Sequence, residues 1–309
     1  MSRLGIAVSG GPSPAEIVDL VAGAETLGYE SAWVAEGHGG DQFAILSACA
    51  MRTSSISLGT AISSVYVRSI PTIAMAAASV DDISQGRFIL GLGSSHKVQV
   101  VPEHDVVYAK PITRLRESVE IIRALLRTGE VQYQGETVRI ENFDFWFKPL
   151  RPEIPIYASA VFPKMTAVCG EIADGIILTR STLKTGGEVR QLLAEGAARS
   201  GRDPAKITVT TLLPTAVADS RGEALAMMRP GLALYAGFFP RYNRLIAGHG
   251  FADEAAAIAA AWAKGDKAGA ERAVTDAMID ATSIVGTPEQ CREQLEAYRQ
   301  SGIDLPIIS

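Results

Sequence analysis

Ile56 to Gly93 reads ISLGTAISSVYVRSIPTIAMAAASVDDISQGRFILGLG, and the reading of this stretch decides the fold. Ile56, Leu58, Thr60 and Ile62 alternate with small residues, as in a strand packed on both faces. A polar segment follows. Pro71 then suits the first turn of a helix, Ile73, Ala74, Ala77, Ala78 and Val80 recur at helical spacing, and Gly86 stands just past its end. Phe88 to Leu92 resumes an apolar strand, with the polar residues Ser94, Ser95, His96 and Lys97 behind it in what reads as a loop without a following helix. Two parallel strands joined by a helix form the repeating unit of α/β folds, whose ligands sit in the loops at the strands' C-terminal ends.

The same unit recurs on both sides. Leu4 to Val8 reads as a first strand, Ser9 to Pro12 as a turn, and Pro14 to Leu27 as a helix with the capping box Ser13/Glu16 and an apolar stripe of Ile17, Leu20, Val21, Ala24 and Leu27. Ser31 to Ala35 is a second strand, and Asp41 caps a helix reaching Arg52. Leu115, Val119, Ile122 and Leu126 mark a long amphipathic helix closed by Gly129. Between 130 and 150 the pattern becomes a hairpin around Gly135 and Glu136, with aromatic-rich chain behind it. Further strands follow at Ile154 to Ser159, Gly175 to Thr179, Ile207 to Ala218 and Ile303 to Ile308. The last is preceded by the capping box of Thr287 and Gln290. Eight strands alternating with helices predict an α/β fold of the (β/α)8 TIM barrel type. We expect residues 1–309 to form a single barrel domain, with a hairpin insertion near 130–150 and an alanine-rich helical lid insertion near 220–280.

Composition narrows the function classes. Of the 309 residues, 47% are hydrophobic and 20% charged, enough for a large core, and the net charge of −5 without basic runs argues against a nucleic-acid partner. Cys49, Cys169 and Cys291 lie far apart in apolar surroundings and read as reduced core thiols. No apolar segment approaches the ~20 residues of a membrane span, and no signal peptide core precedes the first strand, so a cytoplasmic location is expected. The four histidines lack metal-ligand spacing, and no metal is expected.

At the strand ends the rim is apolar or small, which suits a flat aromatic ligand. Glu36 is the leading acidic candidate, and His38 and His96 are candidate proton donors. GLGSSH lacks the third glycine of a dinucleotide fingerprint, so a Rossmann NAD site is rejected; Gly91 and Gly93 are read as letting backbone approach a ligand. Arg180, Lys184 and Lys97 stand where a phosphate tail can be met.

LGYESAWVAEGHGGD, the long stretch quoted above, RLRESVEIIRALL, PIYASAVFPKM with ADGIIL, and VGTPEQCREQLEAYRQSGID together resemble the luciferase-like monooxygenase superfamily, in particular its coenzyme F420-dependent oxidoreductase branch. The resemblance covers nearly the whole chain. It implies a flavin or deazaflavin bound at the barrel mouth, a homodimer, and a bulge with a non-prolyl cis bond at Ala61 and Ile62. Position by position it implies Glu36 beside the polar edge of the ring. Ser63 and Ser64 continue the bulge, and Gly93, Ser94 and Ser95 run along the ring and ribityl chain. Ala160, Val161 and Phe162 form the phosphate turn, with Thr179 and Arg180 nearby. His96 falls where sugar-phosphate dehydrogenases of this branch carry a glutamate acid, and Gly37 where they carry a histidine. The implied reaction is hydride transfer between C5 of coenzyme F420 and a small-molecule substrate held under a lid at Phe238 to Tyr242, with Glu36, His38 and His96 as the catalytic candidates. The alternatives are an FMN-dependent monooxygenase on the same barrel and a non-catalytic flavin-binding protein.

Overall fold

The structure is a computed structural model describing residues 3–8 and 10–309. Ser9, at the start of the expected turn after the first strand, lies outside the described residues. Eight main parallel strands alternate with helices along the chain as Gly5–Val8, Ser31–Val34, Ser57–Thr60, Phe88–Gly93, Ile156–Ser159, Gly175–Thr179, Thr208–Leu213 and Leu305–Ile308, and the fold is a (β/α)8 barrel. The chain forms two compact units.

The first unit comprises Met1–Ala160, Lys164–Ile177 and Leu192–Thr208. Its strands pair in parallel register, Gly5 with Ser31, Ser31 with Ser57, Leu58 with Phe88, Leu90 with Ile156 and Tyr157 with Gly175. The Trp33 ring is fully buried, and its Nε1–H donates to Ser31 Oγ at 2.9 Å. Trp33 lies opposite Gly59, where an added Cβ would stand 2.3 Å from the ring, so only hydrogen fits. The helix Pro14–Thr26 has the expected Ser13/Glu16 capping box, and Gly28 follows at φ +81°. It buries Ile17, Val21 and Ala24, but Leu20 and Leu27 face solvent. The apolar stripe is thus narrower than its sequence suggests: Leu20 lies on the solvent flank of the helix and Leu27 just past its end.

Asp81, 1% exposed on the helix Ile70–Ile83, holds Arg151 through two bonds of 2.9 and 2.7 Å, and Arg151 also donates to the Phe88 carbonyl. The hairpin pairs Glu130–Gln134 with Arg139–Asp144. Its tip is held by Glu117 of the helix Pro111–Thr128: the carboxylate accepts the backbone N–H groups of Glu136, Thr137 and Val138 and the Thr137 hydroxyl. A Cβ at Gly135 would meet that carboxylate at 2.5 Å.

The second unit comprises Val161–Pro163, Leu178–Gln191 and Val209–Ser309. Thr208–Leu213 pairs in parallel with Leu305–Ile308. The expected long strand from Ile207 to Ala218 breaks at Pro214, beyond which Thr215–Val217 pairs with Ile284–Gly286 in a separate two-stranded sheet. Proline has no N–H to give a ladder, so the break falls there. The alanine-rich stretch is helical as read, divided into Arg221–Phe238, Pro240–Gly248, Ala252–Ala263, Lys267–Arg272 and Asp276–Thr282. These helices enclose an apolar cluster that includes Leu232, Ile246, Ile258, Met278 and Ile279. Alanine's small side chain lets their backbones approach closely, and Leu and Ile fill what remains.

Candidate active site

In the first unit the candidates gather at the ends of the second to fourth main strands. Glu36 follows the strand Ser31–Val34, and its side chain is 13% exposed. Its Oε2 accepts the Ser64 N–H at 2.6 Å and its Oε1 accepts Arg68 Nε at 2.7 Å. Arg68 reaches on through Nη2 to Asp41 Oδ2 at 2.6 Å and lies over the Phe43 ring at 5.3 Å. One guanidinium thus ties the loop after the second strand to the N-cap of the next helix. Burial alone would raise the Asp41 carboxyl, but the Arg68 hydrogen bond and the helix N–H groups of Ala44 and Phe43 outweigh it and lower it. Burial likewise opposes the charge on Arg68, yet its bonds to Asp41 and Glu36 raise it.

The Ala61–Ile62 peptide is cis, at the pair that the family resemblance implies. Ser63 and Ser64 then form a two-residue strand against Leu92 and Gly93. The Ser63 side chain is fully buried and its Oγ has no hydrogen-bond partner among the described residues. At Gly91 and Gly93 neighbouring protein atoms leave room for hydrogen only on the side where a Cβ would stand. A Cβ on Gly91 would stand 1.9 Å from the Thr60 carbonyl oxygen, and one on Gly93 would stand 2.4 Å from Ser159 Oγ and 2.7 Å from Ile62. The glycines admit neighbouring protein on that side, and the Thr60 hydroxyl closes the contact by bonding both the N–H and the carbonyl of Gly91 at 2.8 Å.

Ser94 is buried and Ser95 takes φ +50°, so the chain turns sharply after the strand Phe88–Gly93. A helix does follow at once, in correction of the loop read there: Lys97–His104, with His96 at its N-cap and Pro102 inside it. Its side chains lack a regular apolar repeat, which is why the segment reads as loop. Glu36, His38, Ser64 and Ser95 line one cleft of about 280 Å³, together with Arg68 and Glu103. His38 is 77% exposed there, and its Nε2 lies 3.1 Å from Glu103 Oε2. His96 is not part of that lining. Arg68 and Glu103 escaped the sequence reading; the one signal was an arginine directly before the N-cap Ser69. Ala160 ends the Met1–Ala160 segment and is buried.

In the second unit, Val161 and Phe162 precede the helix Pro163–Ile172, and Arg244 stacks over the Phe162 ring at 4.3 Å. Thr179 ends its strand and is half-buried. Arg180 is 4% exposed and adopts φ +52°. Its carbonyl oxygen lies 3.1 Å from His249 Nε2, and its guanidinium covers the Tyr235 ring at 4.8 Å. Among the described residues no His, Cys, Asp and Glu group can hold a metal ion, and no helix is long and apolar enough to cross a membrane. Cys49, Cys169 and Cys291 are free and buried, and burial raises the Cys49 thiol to about 11.

Residues 1–305 match the family model described as luciferase-like monooxygenase. The 5,10-methylenetetrahydromethanopterin reductase of Archaeoglobus fulgidus is 30% identical over 286 residues, 91% of this chain and 85% of that protein. The coenzyme F420-dependent tetrahydromethanopterin reductase of Methanopyrus kandleri superposes with a TM-score of 0.88 at 28% identity, covering 100% of this chain and 93% of that one. An F420-dependent secondary alcohol dehydrogenase shares the fold at a TM-score of 0.82 and 19% identity, covering 99% of this chain and 92% of that one. With a family model matched over residues 1–305 and a relative 30% identical over 91% of its length, the chain belongs to the luciferase-like monooxygenase family.

Proposed function

We propose that the protein is a coenzyme F420-dependent oxidoreductase acting on a small organic substrate. The likeness to the F420-dependent reductase, 0.88 in TM-score over the whole chain, carries this reading. The residues present also suit a polar-edged ring. The Ser63 hydroxyl is buried without a partner among the described residues, and a buried hydroxyl left unpaired costs stability unless a ligand satisfies it. Glu36, Ala61 to Ser64, and Gly93 to Ser95 would hold the ring and ribityl chain, and the backbone of Ala160 to Phe162 the phosphate. When bound, the deazaflavin supplies two-electron chemistry at C5.

The chain's own residues orient and shield. Glu36, with one oxygen on Ser64 N–H and the other on Arg68, keeps the bulge and the second-strand loop in fixed relation. The buried serines Ser63 and Ser64 exclude water from that segment. His38, exposed and beside Glu103, can exchange a proton with solvent at Nε2, and His96 is the second candidate for that task. A single barrel domain with a helical lid, a homodimer and a cytoplasmic location belong to the same reading.

The test is titration of the purified chain with F420 and with FMN, followed by fluorescence quenching. F420 should bind more tightly, and Ser63→Ala should weaken it by up to about tenfold through loss of one hydrogen bond. Preference for FMN would turn the assignment to an FMN-dependent monooxygenase. F420 binding without hydride exchange to any acceptor would leave a non-catalytic flavin-binding protein.

A further inference from the structure

Arg180 is the one arginine among the described residues whose Nε and Nη1 are both buried and both without a hydrogen-bond partner. Among the described residues no carboxylate pairs with it, whereas elsewhere in the second unit Arg190 takes Asp304, Arg221 takes Asp280 and Arg229 takes Asp276. What faces its guanidinium is aromatic: the Tyr235 ring, with Tyr242 packed beside that ring. Burial lowers the Arg180 guanidinium, though an arginine keeps its proton in a protein. A buried charge is ordinarily paired, and here no counter-charge stands among the described residues.

We propose that Arg180 binds the carboxylate of an acidic organic substrate, with the Tyr235 and Tyr242 rings packing its apolar part. Both long edges of the guanidinium carry two parallel N–H groups, the geometry a carboxylate accepts. A singly charged acid neutralises the site, whereas a phosphate dianion would leave a net negative charge among tyrosines. The diester of the cofactor tail has other partners in the proposed site, the Val161–Phe162 backbone with Arg244 stacked beside it. On this proposal Arg180 serves the substrate rather than the phosphate tail that its position in the sequence suggests. The inference rests on the oxidoreductase reading only in calling the acid a substrate.

Isothermal titration of the full chain with acetate, benzoate and phenylacetate, and with their neutral amides, tests it. At least one acid should bind about tenfold or more tighter than its amide, and Arg180→Met should abolish that difference while leaving the amide unchanged. Arg180→Lys, which keeps the charge but loses the fork, should retain part of it. Thermal unfolding of Arg180→Met should not fall below that of the parent, because it removes a charge that no protein group balances. A fall rescued by Arg180→Lys would mark a structural arginine and overturn the proposal, as would the absence of any acid preference. In a third arm, F420 and the same deazaflavin lacking its phosphate tail are titrated into Arg180→Met. A loss confined to F420 would make this the cofactor's diester site and also overturn the proposal. Acid binding that follows Arg180 in a chain that binds no F420 would sink the cofactor reading and leave the anion site standing.

Discussion

Glu36 and Arg180 each stand just past a main strand of the barrel, each largely withdrawn from water, and the protein treats them oppositely. The carboxylate of Glu36 has a donor on each oxygen, Ser64 N–H and Arg68, and Arg68 is itself shared with Asp41. Arg180 has an aromatic face and nothing to bond its fork. A charge paired within the chain fixes loops. One left unpaired in the same kind of place holds its interaction in reserve for something that arrives later.

The contrast is open to direct attack. Asp81 is the extreme of the paired class, and Asp81→Ala should cost about 3 kcal/mol in denaturant unfolding, because Arg151 loses two charge-assisted bonds and keeps only the Phe88 carbonyl. A loss under about 1 kcal/mol would mean that the Asp81–Arg151 pair fixes nothing that water cannot replace, and the comparison would fail. Glu36→Ala should cost less, about 1–3 kcal/mol, since Arg68 keeps Asp41 and only Ser64 N–H loses its acceptor outright. Glu36→Gln should recover part of this through its amide oxygen, and equal losses in the two variants would place the whole effect in the charge.

The smallest effect is a pH slope. Glu25 Oε1 accepts the N–H groups of Ser54, Ser55 and Ile56 and the Ser55 hydroxyl. Burial pushes its pKa up, but these donors prevail and lower it to about 2. The folded value lies below the ordinary carboxylate range, so Glu25 contributes stability in full above that range. This contribution fades as pH falls from about 4.5 toward 2. Unfolding curves across that window should be flatter for Glu25→Gln than for the parent, and parallel curves would remove Glu25 from the acid response.

What could be read from the sequence was what neighbours along the chain decide. The capping boxes at Ser13 and Thr287, the N-cap Asp41 and the terminating Gly129 are each settled within four residues, and each is found as read. The alternation of strand and helix follows from the same short-range periodicity. The helix Lys97–His104 does not show in the sequence because Pro102 and an irregular apolar spacing conceal it. The exposed Leu20 and Leu27 show that an apolar residue's address depends on the surface beneath the helix, which its own segment does not encode. At the candidate site, Glu36 was visible as a carboxylate at a strand end, but its partner Arg68 lies 32 positions away. The isolation of Arg180 was invisible for a deeper reason: the lack of a neighbour is a property of everything around a residue.

The hairpin tip carries a consequence of its own. Its shape is set by main-chain N–H groups converging on Glu117, and every amino acid but one supplies such a group. Side chains at 136 and 138 are therefore free to drift without bending the turn, while proline at 136, 137 or 138 would take away a donor and unfasten the loop from its helix.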